Sequence, residues 1–225
     1  MTNAPDALAR AAIEPIHGDM LVGLGTGRAA TRAIHALAEK AKRGEFAGPC
    51  VATSVASAKL GAELGLRILD MGGTAKVDYL FDGADEVDPE LRMIKGGGGA
   101  MTREKIVAHA SSTCVYMIQQ SKLAGRLGES FRLPIEVLEF ARAMVESELR
   151  SAGLEPELRK RDGAVVMTDQ ENVILDVSLD GKLSPEEVNA MLNALPGVVD
   201  HGLFLTQADT VFVESEETAL KRLTR

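Results

Sequence analysis

At 225 residues the chain can bury a sizeable core, as one large domain or two modest ones. Its 45% hydrophobic and 26% charged content is ordinary for a globular protein, and a net charge of −8 argues against a general binder of nucleic acid or anionic membrane. No apolar run approaches the ~18 residues of a membrane span and the first residues lack a signal-peptide pattern, so a soluble, cytoplasmic protein is expected.

Residues 6–17 show helical spacing at Leu8, Ala11, Ala12 and Ile16, with Pro15 weakening the end. Residues 20–24 form a short strand, Gly25-Thr26-Gly27 the turn out of it, and residues 28–43 a helix with Ala30, Ile34, Leu37, Ala38 and Ala41 on one face. A strand, a glycine turn and a helix in succession is how open α/β sheets present a phosphate site. The same pattern also fits a tight turn without a ligand. Residues 51–53 give a second strand, and Thr53-Ser54 leads into a helix ending at Gly65, with Ser54 or Ser57 as its cap. Residues 67–71 and 77–81 give two more strands. Strands alternating with helices imply a mainly parallel sheet covered on both faces. Cys50 and Cys114, each beside apolar residues, are expected as buried thiols.

The most informative stretch is 79–110. An apolar strand end at 79–81 opens into a loop holding Asp82, Asp85, Glu86 and Asp88. Lys95 follows, then four consecutive glycines at 96–99, then a helix from about Thr102 with Glu104 in its first turn. Four glycines are costly to order, because each loses more backbone freedom than any other residue. Such a loop makes sense where a ligand approaches the backbone, and its N–H groups can form an anion-binding nest. Acids, one cation, glycine amides and a carboxylate on a helix start suit proton transfer beside a developing oxyanion. Taken singly, DGAD fits a solvated turn and GGGG a flexible connector; the linkage of the two between a strand and a helix makes the signal.

Residues 114–119 supply another strand leading to Gln120-Ser121-Lys122, where the lysine either reaches a phosphate or lies in solvent. From residue 126 the rhythm changes. An extended segment at 133–137 precedes a helix ending near 151, strands around 157–161, 164–168 and 172–178, a helix opening at Ser184-Pro185-Glu186-Glu187, and a strand at 198–205. This is the ferredoxin-like order, so residues 127–206 are expected to form a small α+β domain inserted into a main domain of residues 1–126 plus 207–225. A strand at 210–213 and a closing helix through residue 223 complete the main domain. His17, His35, His109 and His201 lack ligand spacing and no CxxC or GxSxG occurs, so neither a metal nor a nucleophile elbow is expected.

The run DGADEVDPELRMIKGGGGAMTREKIVA from residue 82 resembles the signature of the ribose-5-phosphate isomerase A family. GLGTG at 23–27, TSxxS at 53–57, SK at 121–122, and NVILDV and ALPGVVDHGLF further on fall in the family's order, so the resemblance covers nearly the whole chain. It implies a Rossmann-like domain with a ferredoxin-like insert, and an aldose-ketose isomerase of the non-oxidative pentose phosphate pathway. It implies no metal or organic cofactor, a sugar phosphate as the small-molecule partner, and a homodimer or homotetramer. By resemblance Glu104 is the base, and Asp82, Asp85 and Lys95 are the other catalytic groups. Gly25, Thr26, Gly27, Arg28, Ala29, Gly83, Ala84, Gly96, Gly97, Gly98 and Lys122 are the expected substrate contacts.

Two departures stand out. The family usually reads GTGST at the phosphate turn, whereas Arg28 and Ala29 here remove two hydroxyls. Arg28 either replaces them with a cation or points into solvent. The family also usually has an acid three residues before the SK lysine, where this chain has Gln119. Two alternatives stay open: an isomerase of a related sugar phosphate, and a non-catalytic sugar-phosphate-binding protein.

Overall fold

Asp6 opens the first helix, Ala7–Ile13, by accepting the Ala9 amide, and Leu8, Ala9, Ala12 and Ile13 form its buried face. The computed structural model describes residues 6–215 and 220–225. Gly27, at φ +92°, caps the helix Arg28–Lys42, whose buried side is Ala30, Ala33, Ile34, Leu37 and Ala38. Only glycine takes that backbone cheaply. Ser54 accepts the Ser57 amide and so caps Val55–Glu63, the capping role expected for it.

The chain segregates into two compact units. The first holds the described residues of Met1–Ala84, Arg103–Ser121 and Gln207–Arg225. Its sheet has seven strands in the order Lys221–Thr224, Thr210–Glu214, Cys114–Gln119, Tyr79–Gly83, Val22–Leu24, Pro49–Ala52, Arg67–Ile68. Every pairing in it is parallel except the outermost, where Lys221–Thr224 runs antiparallel to Thr210–Glu214. The central strands are apolar on both faces, as a doubly covered parallel sheet requires. Leu24, Phe81, Val115 and Met117 meet Leu8, Ile16, Ile34 and Leu37 in the core. The architecture is mixed α/β with a largely parallel central sheet.

The second unit holds Asp85–Thr102 and Lys122–Thr206. Its main sheet has four antiparallel strands in the order Val198–His201, Leu133–Val137, Val173–Val177, Pro156–Leu158, with helices Arg142–Ser151 and Pro185–Ala194 in the same unit. Ser184 and Glu187 close a reciprocal capping box at the second helix, with Pro185 at its first position. A three-stranded sheet joins Leu203–Phe204, Met93–Ile94 and Glu86–Val87.

Three expectations change. Residues 85–102, read as part of the main domain, cluster with the second unit. The segment expected as a closing helix is a strand at Lys221–Thr224, paired with Thr210–Glu214; its earlier part, 216–219, lies outside the described residues. The strand expected at 198–205 is two strands in different sheets, broken at Gly202. A Cβ there would lie 2.2 Å from Lys95 O, so only glycine admits this approach. Among the described residues no helix is long and apolar enough to cross a membrane.

Candidate active site

In the first unit, the candidates gather at the carboxyl ends of the parallel strands. Asp82 is fully buried near the end of Tyr79–Gly83, and its Oδ1 accepts the amides of Thr26 (2.9 Å) and Gly83 (2.7 Å). The Gly25 amide donates to Phe81 O at 2.9 Å. A Cβ on Gly25 would lie 2.3 Å from Asp82 Oδ1 and 2.5 Å from Phe81 O, so glycine is required for the turn to close over the aspartate. With the Gly25 and Thr26 amides engaged inside the turn, an anion here would meet the first-turn amides of Arg28–Lys42, which lack intrahelical acceptors. Arg28 is exposed at the first position of that helix, and Ala29 is half-buried.

Hydroxyls brace the turn from the neighbouring strand and helix. Thr26 Oγ1 lies 2.7 Å from Thr53 Oγ1, and Thr53 donates to Leu24 O at 3.2 Å. The Thr26 proton is therefore the one shared between the two threonines. Ser57 donates to Gly25 O at 2.6 Å and accepts from Ser54 Oγ at 3.0 Å. TSxxS thus supports the turn as well as starting a helix.

Glu104 is 4% exposed in the first turn of Met101–Ala110. Tyr116, the register partner of Asp82 on the adjacent strand, is fully buried. Burial, and then the negative charge of Cys114, Asp82 and Glu104 if ionised, pushes its phenol well above the ordinary range. Sequence reasoning passed Tyr116 over, because inside CVYMIQ it reads as one more core residue.

The second unit carries the other candidates. Asp85 Oδ2 accepts the Gly97 amide at 2.7 Å. Lys95 is 2% exposed, its amide donates to Gly202 O at 2.9 Å, and its ammonium lies 5.5 Å from the Phe204 ring centroid. The glycine loop is less open than the nest expected of it: the Gly97 amide is given to Asp85 and the Gly99 amide to Gly96 O at 3.0 Å. Gly98 is exposed and Gly96, at φ +99°, is buried. Lys122 is half-buried with its ammonium 5.6 Å from the Phe131 ring centroid, and Gln119 is exposed at the end of its strand in the first unit.

Two of the four loop acids are structural. Glu86, fully buried, accepts the amides of Gly128 (2.5 Å), Ser130 (2.6 Å) and Phe131 (3.2 Å) and the Ser130 hydroxyl. Asp88 holds Arg92 at 2.6 Å. A third buried acid, Glu136, accepts from Thr168 Oγ1 (2.7 Å), Asn172 Nδ2 (2.8 Å) and the hydroxyl of Thr102, the second residue of the helix that bears Glu104. No short-range pattern marks Glu136, because its partners lie more than 30 residues away in sequence. Among the described residues no group of three or more His, Cys, Asp or Glu is arranged to hold a metal ion.

Residues 49–218 match the sequence profile of ribose 5-phosphate isomerase A (phosphoriboisomerase A). Two similar relatives, both named ribose-5-phosphate isomerase A, come from Thermosynechococcus vestitus and Sphingopyxis alaskensis. The first is 42% identical, covering 92% of this chain and 89% of the relative; the second is 41% identical, covering 90% and 88%. A D-ribose-5-phosphate isomerase in complex with phospho-erythronic acid superposes with a TM-score of 0.92 at 36% identity, over 97% of this chain and 96% of the other. Ribose 5-phosphate isomerase A from Methanocaldococcus jannaschii gives 0.91 at 33% identity, over the same shares. A profile match over most of the length, relatives near 40% identity and agreement of the backbone together show that this chain belongs to the ribose 5-phosphate isomerase A family.

Proposed function

We infer that the protein interconverts D-ribose 5-phosphate and D-ribulose 5-phosphate through an enediolate. The observation that carries this reading is the family membership, met by a buried Glu104 on the first turn of its helix. Moving the carbonyl between C1 and C2 means taking a proton from one carbon and returning it to the other. Glu104 is the base for that transfer. Asp82 and Asp85 exchange protons with the sugar oxygens during ring opening. Lys95 and the exposed Gly98 amide supply positive charge to the enediolate oxygens. The first-turn amides of Arg28–Lys42, with Arg28 and Lys122, take the phosphate, and Thr26, whose amide and hydroxyl are engaged within the turn, holds its shape.

The phospho-erythronic acid bound by the similar structure, a phosphorylated sugar acid, supports a sugar phosphate as the partner. The loss of hydroxyls at Arg28 and Ala29 favours one second reading, a related pentose phosphate as the better substrate. We propose that residues 127–206 form the ferredoxin-like insert of a Rossmann-like domain. Number its main strands 1 to 4 along the chain and their order in the sheet is 4-1-3-2, which supports that topology. A cytoplasmic homodimer or homotetramer is the assembly proposed, supported by the exposed apolar side chains Leu138, Phe140 and Met144.

A coupled assay of the purified protein with ribose 5-phosphate tests the reading, with arabinose 5-phosphate and xylulose 5-phosphate in parallel. Turnover of ribose 5-phosphate at the highest kcat/KM is expected. Absence of turnover on it, or preference for another pentose phosphate, overturns the assignment.

A further inference from the structure

The glycine loop is gripped by a side chain that nothing in its own sequence neighbourhood announces. Arg159 lies in the second unit between the strands Pro156–Leu158 and Lys160–Arg161, and its amide is bonded to Ile174 O at 2.9 Å. Its guanidinium binds Asp176 through Nε (2.8 Å) and through Nη2, a two-pronged carboxylate contact. The remaining prong, Nη1, donates to Gly96 O at 2.8 Å and reaches Gly97 O at 3.3 Å. The two side chains are 13% and 18% exposed, so water competes weakly for them.

The peptide joining Gly96 to Gly97 is therefore held at both ends, its carbonyl by Arg159 and its amide by Asp85 at 2.7 Å. The next peptide also turns its carbonyl towards Arg159. No peptide bond among the described residues is cis, and in a trans peptide the N–H points opposite the C=O. The Gly98 N–H is thereby directed away from Arg159. Asp85 acts on the first peptide alone; Arg159 is the group that fixes the direction of the second.

We propose that Arg159, oriented by Asp176, is a positioning residue that aims the Gly98 amide at the oxygen bearing negative charge in the reaction. The proposal rests on the isomerase reading above. A donor fixed in advance stabilises developing charge without reorganisation, whereas an unrestrained tetraglycine samples many orientations of the same amide. Removal of Arg159 therefore acts on the transition state more than on substrate binding.

Three measurements on the full chain test this, each beside the parent protein, whose own turnover reports on the isomerase reading independently. First, Arg159→Ala is expected to lower kcat for ribose 5-phosphate on the order of 10- to 100-fold while KM changes less than about threefold. Second, methylguanidinium at millimolar concentration is expected to restore part of the lost kcat. Arg159 lines a cavity of about 300 Å³ together with Gly97, Ser130, Phe131, Arg132 and Asp176, and the truncated side chain leaves room beside it. Third, hydrogen exchange in protein labelled with ¹⁵N-glycine is expected to accelerate at Gly97 and Gly99, whose amides are bonded within the loop, and stay unchanged at Gly23 and Gly83. Asp176→Asn, which keeps the shape and weakens the grip, is expected to show the same pattern at smaller amplitude and serves if Arg159→Ala fails to fold. An unchanged kcat in a folded variant, a KM that rises as far as kcat falls, or exchange that accelerates evenly across the chain overturns the proposal.

Discussion

At Gly25 the chain turns against its own sheet: the amides on either side of the bend go to Phe81 O and Asp82 Oδ1, and the hydroxyls of Thr53 and Ser57 close the gaps behind it. At Gly96 and Gly97, just past the strand Met93–Ile94, the peptide is held instead by two charged side chains, Asp85 at its amide and Arg159 at its carbonyl. The first turn inherits its rigidity from parallel strands that exist for the sake of the core. The second is ordered by two side chains 12 and 63 residues away in sequence, so losing either one loosens it.

The largest expected effects concern the chemistry, one group from each unit. Glu104→Gln keeps the size of the side chain and removes its basicity, so kcat is expected to fall about 10²–10⁴-fold with little change in KM. Steady-state kinetics decide it, and near-parent turnover in the folded variant takes Glu104 out of the role. Lys95→Met removes a buried ammonium, and kcat is expected to fall about 10²–10³-fold, further than KM rises. A change confined to KM makes Lys95 a binding group, leaving charge stabilisation to the loop amides.

Next comes the steric basis of the first turn. Gly25→Ala forces a Cβ to within 2.3 Å of Asp82 Oδ1, next to backbone that cannot yield. A stability loss of about 1–3 kcal/mol is expected in urea unfolding, as for other overpacked positions, together with reduced turnover. Should Gly25→Ala match the parent in both, the turn is softer than its hydrogen bonds imply and the contrast with the glycine loop collapses.

The smallest effect concerns an ion-pair cluster of the first unit. Arg32 binds Asp6 (2.5 Å) and Glu214 (2.7 Å). Burial alone would raise the Asp6 carboxyl, but hydrogen bonds from Arg32 and Ala9 outweigh it and leave the value lowered; the Arg32 hydrogen bond lowers that of Glu214. Carboxyls depressed in the folded state stabilise it above their unfolded values of about 3.9 and 4.3, and that stability drains away as pH falls through the folded values. The melting temperature is thus expected to drop below about pH 4, by a smaller amount in Arg32→Met. Equal acid sensitivity in parent and variant would mean the cluster contributes nothing measurable, as half-exposed pairs often do.

Local patterns carried most of the secondary structure. The alternation of apolar strands with amphipathic helices up to Gln119, and the Ser184 capping box, are signals spanning a few residues, and the observed helices follow them closely. The errors fall where a distant partner decides. Leu203–Phe204 leaves the strand before it because Met93–Ile94 is there to pair with, and Lys221–Thr224 is extended because Thr210–Glu214 offers an edge. The same holds at the candidate site. DGAD, the glycines and Glu104 are visible as a linked run, whereas Arg159 lies 63 residues from the carbonyl it holds, and Glu136 lies 34 from the hydroxyl it receives. Tyr116 is hidden differently, since a buried tyrosine beside acids has the same sequence signature as one in an ordinary core.

Gly202 shows how such remote dependence plays out across a lineage. Its carbonyl accepts the Lys95 amide, its own amide donates to Pro134 O at 2.7 Å, and any side chain on it would collide with Lys95 O and the Pro134 ring. The residue has no chemistry of its own, yet every substitution displaces the lysine proposed to stabilise the enediolate. In a complete survey of tolerated replacements, Gly202 therefore ranks beside Lys95, and a variant found there in a population sample belongs with loss-of-function alleles, although it lies about a hundred residues down the chain from the lysine it governs.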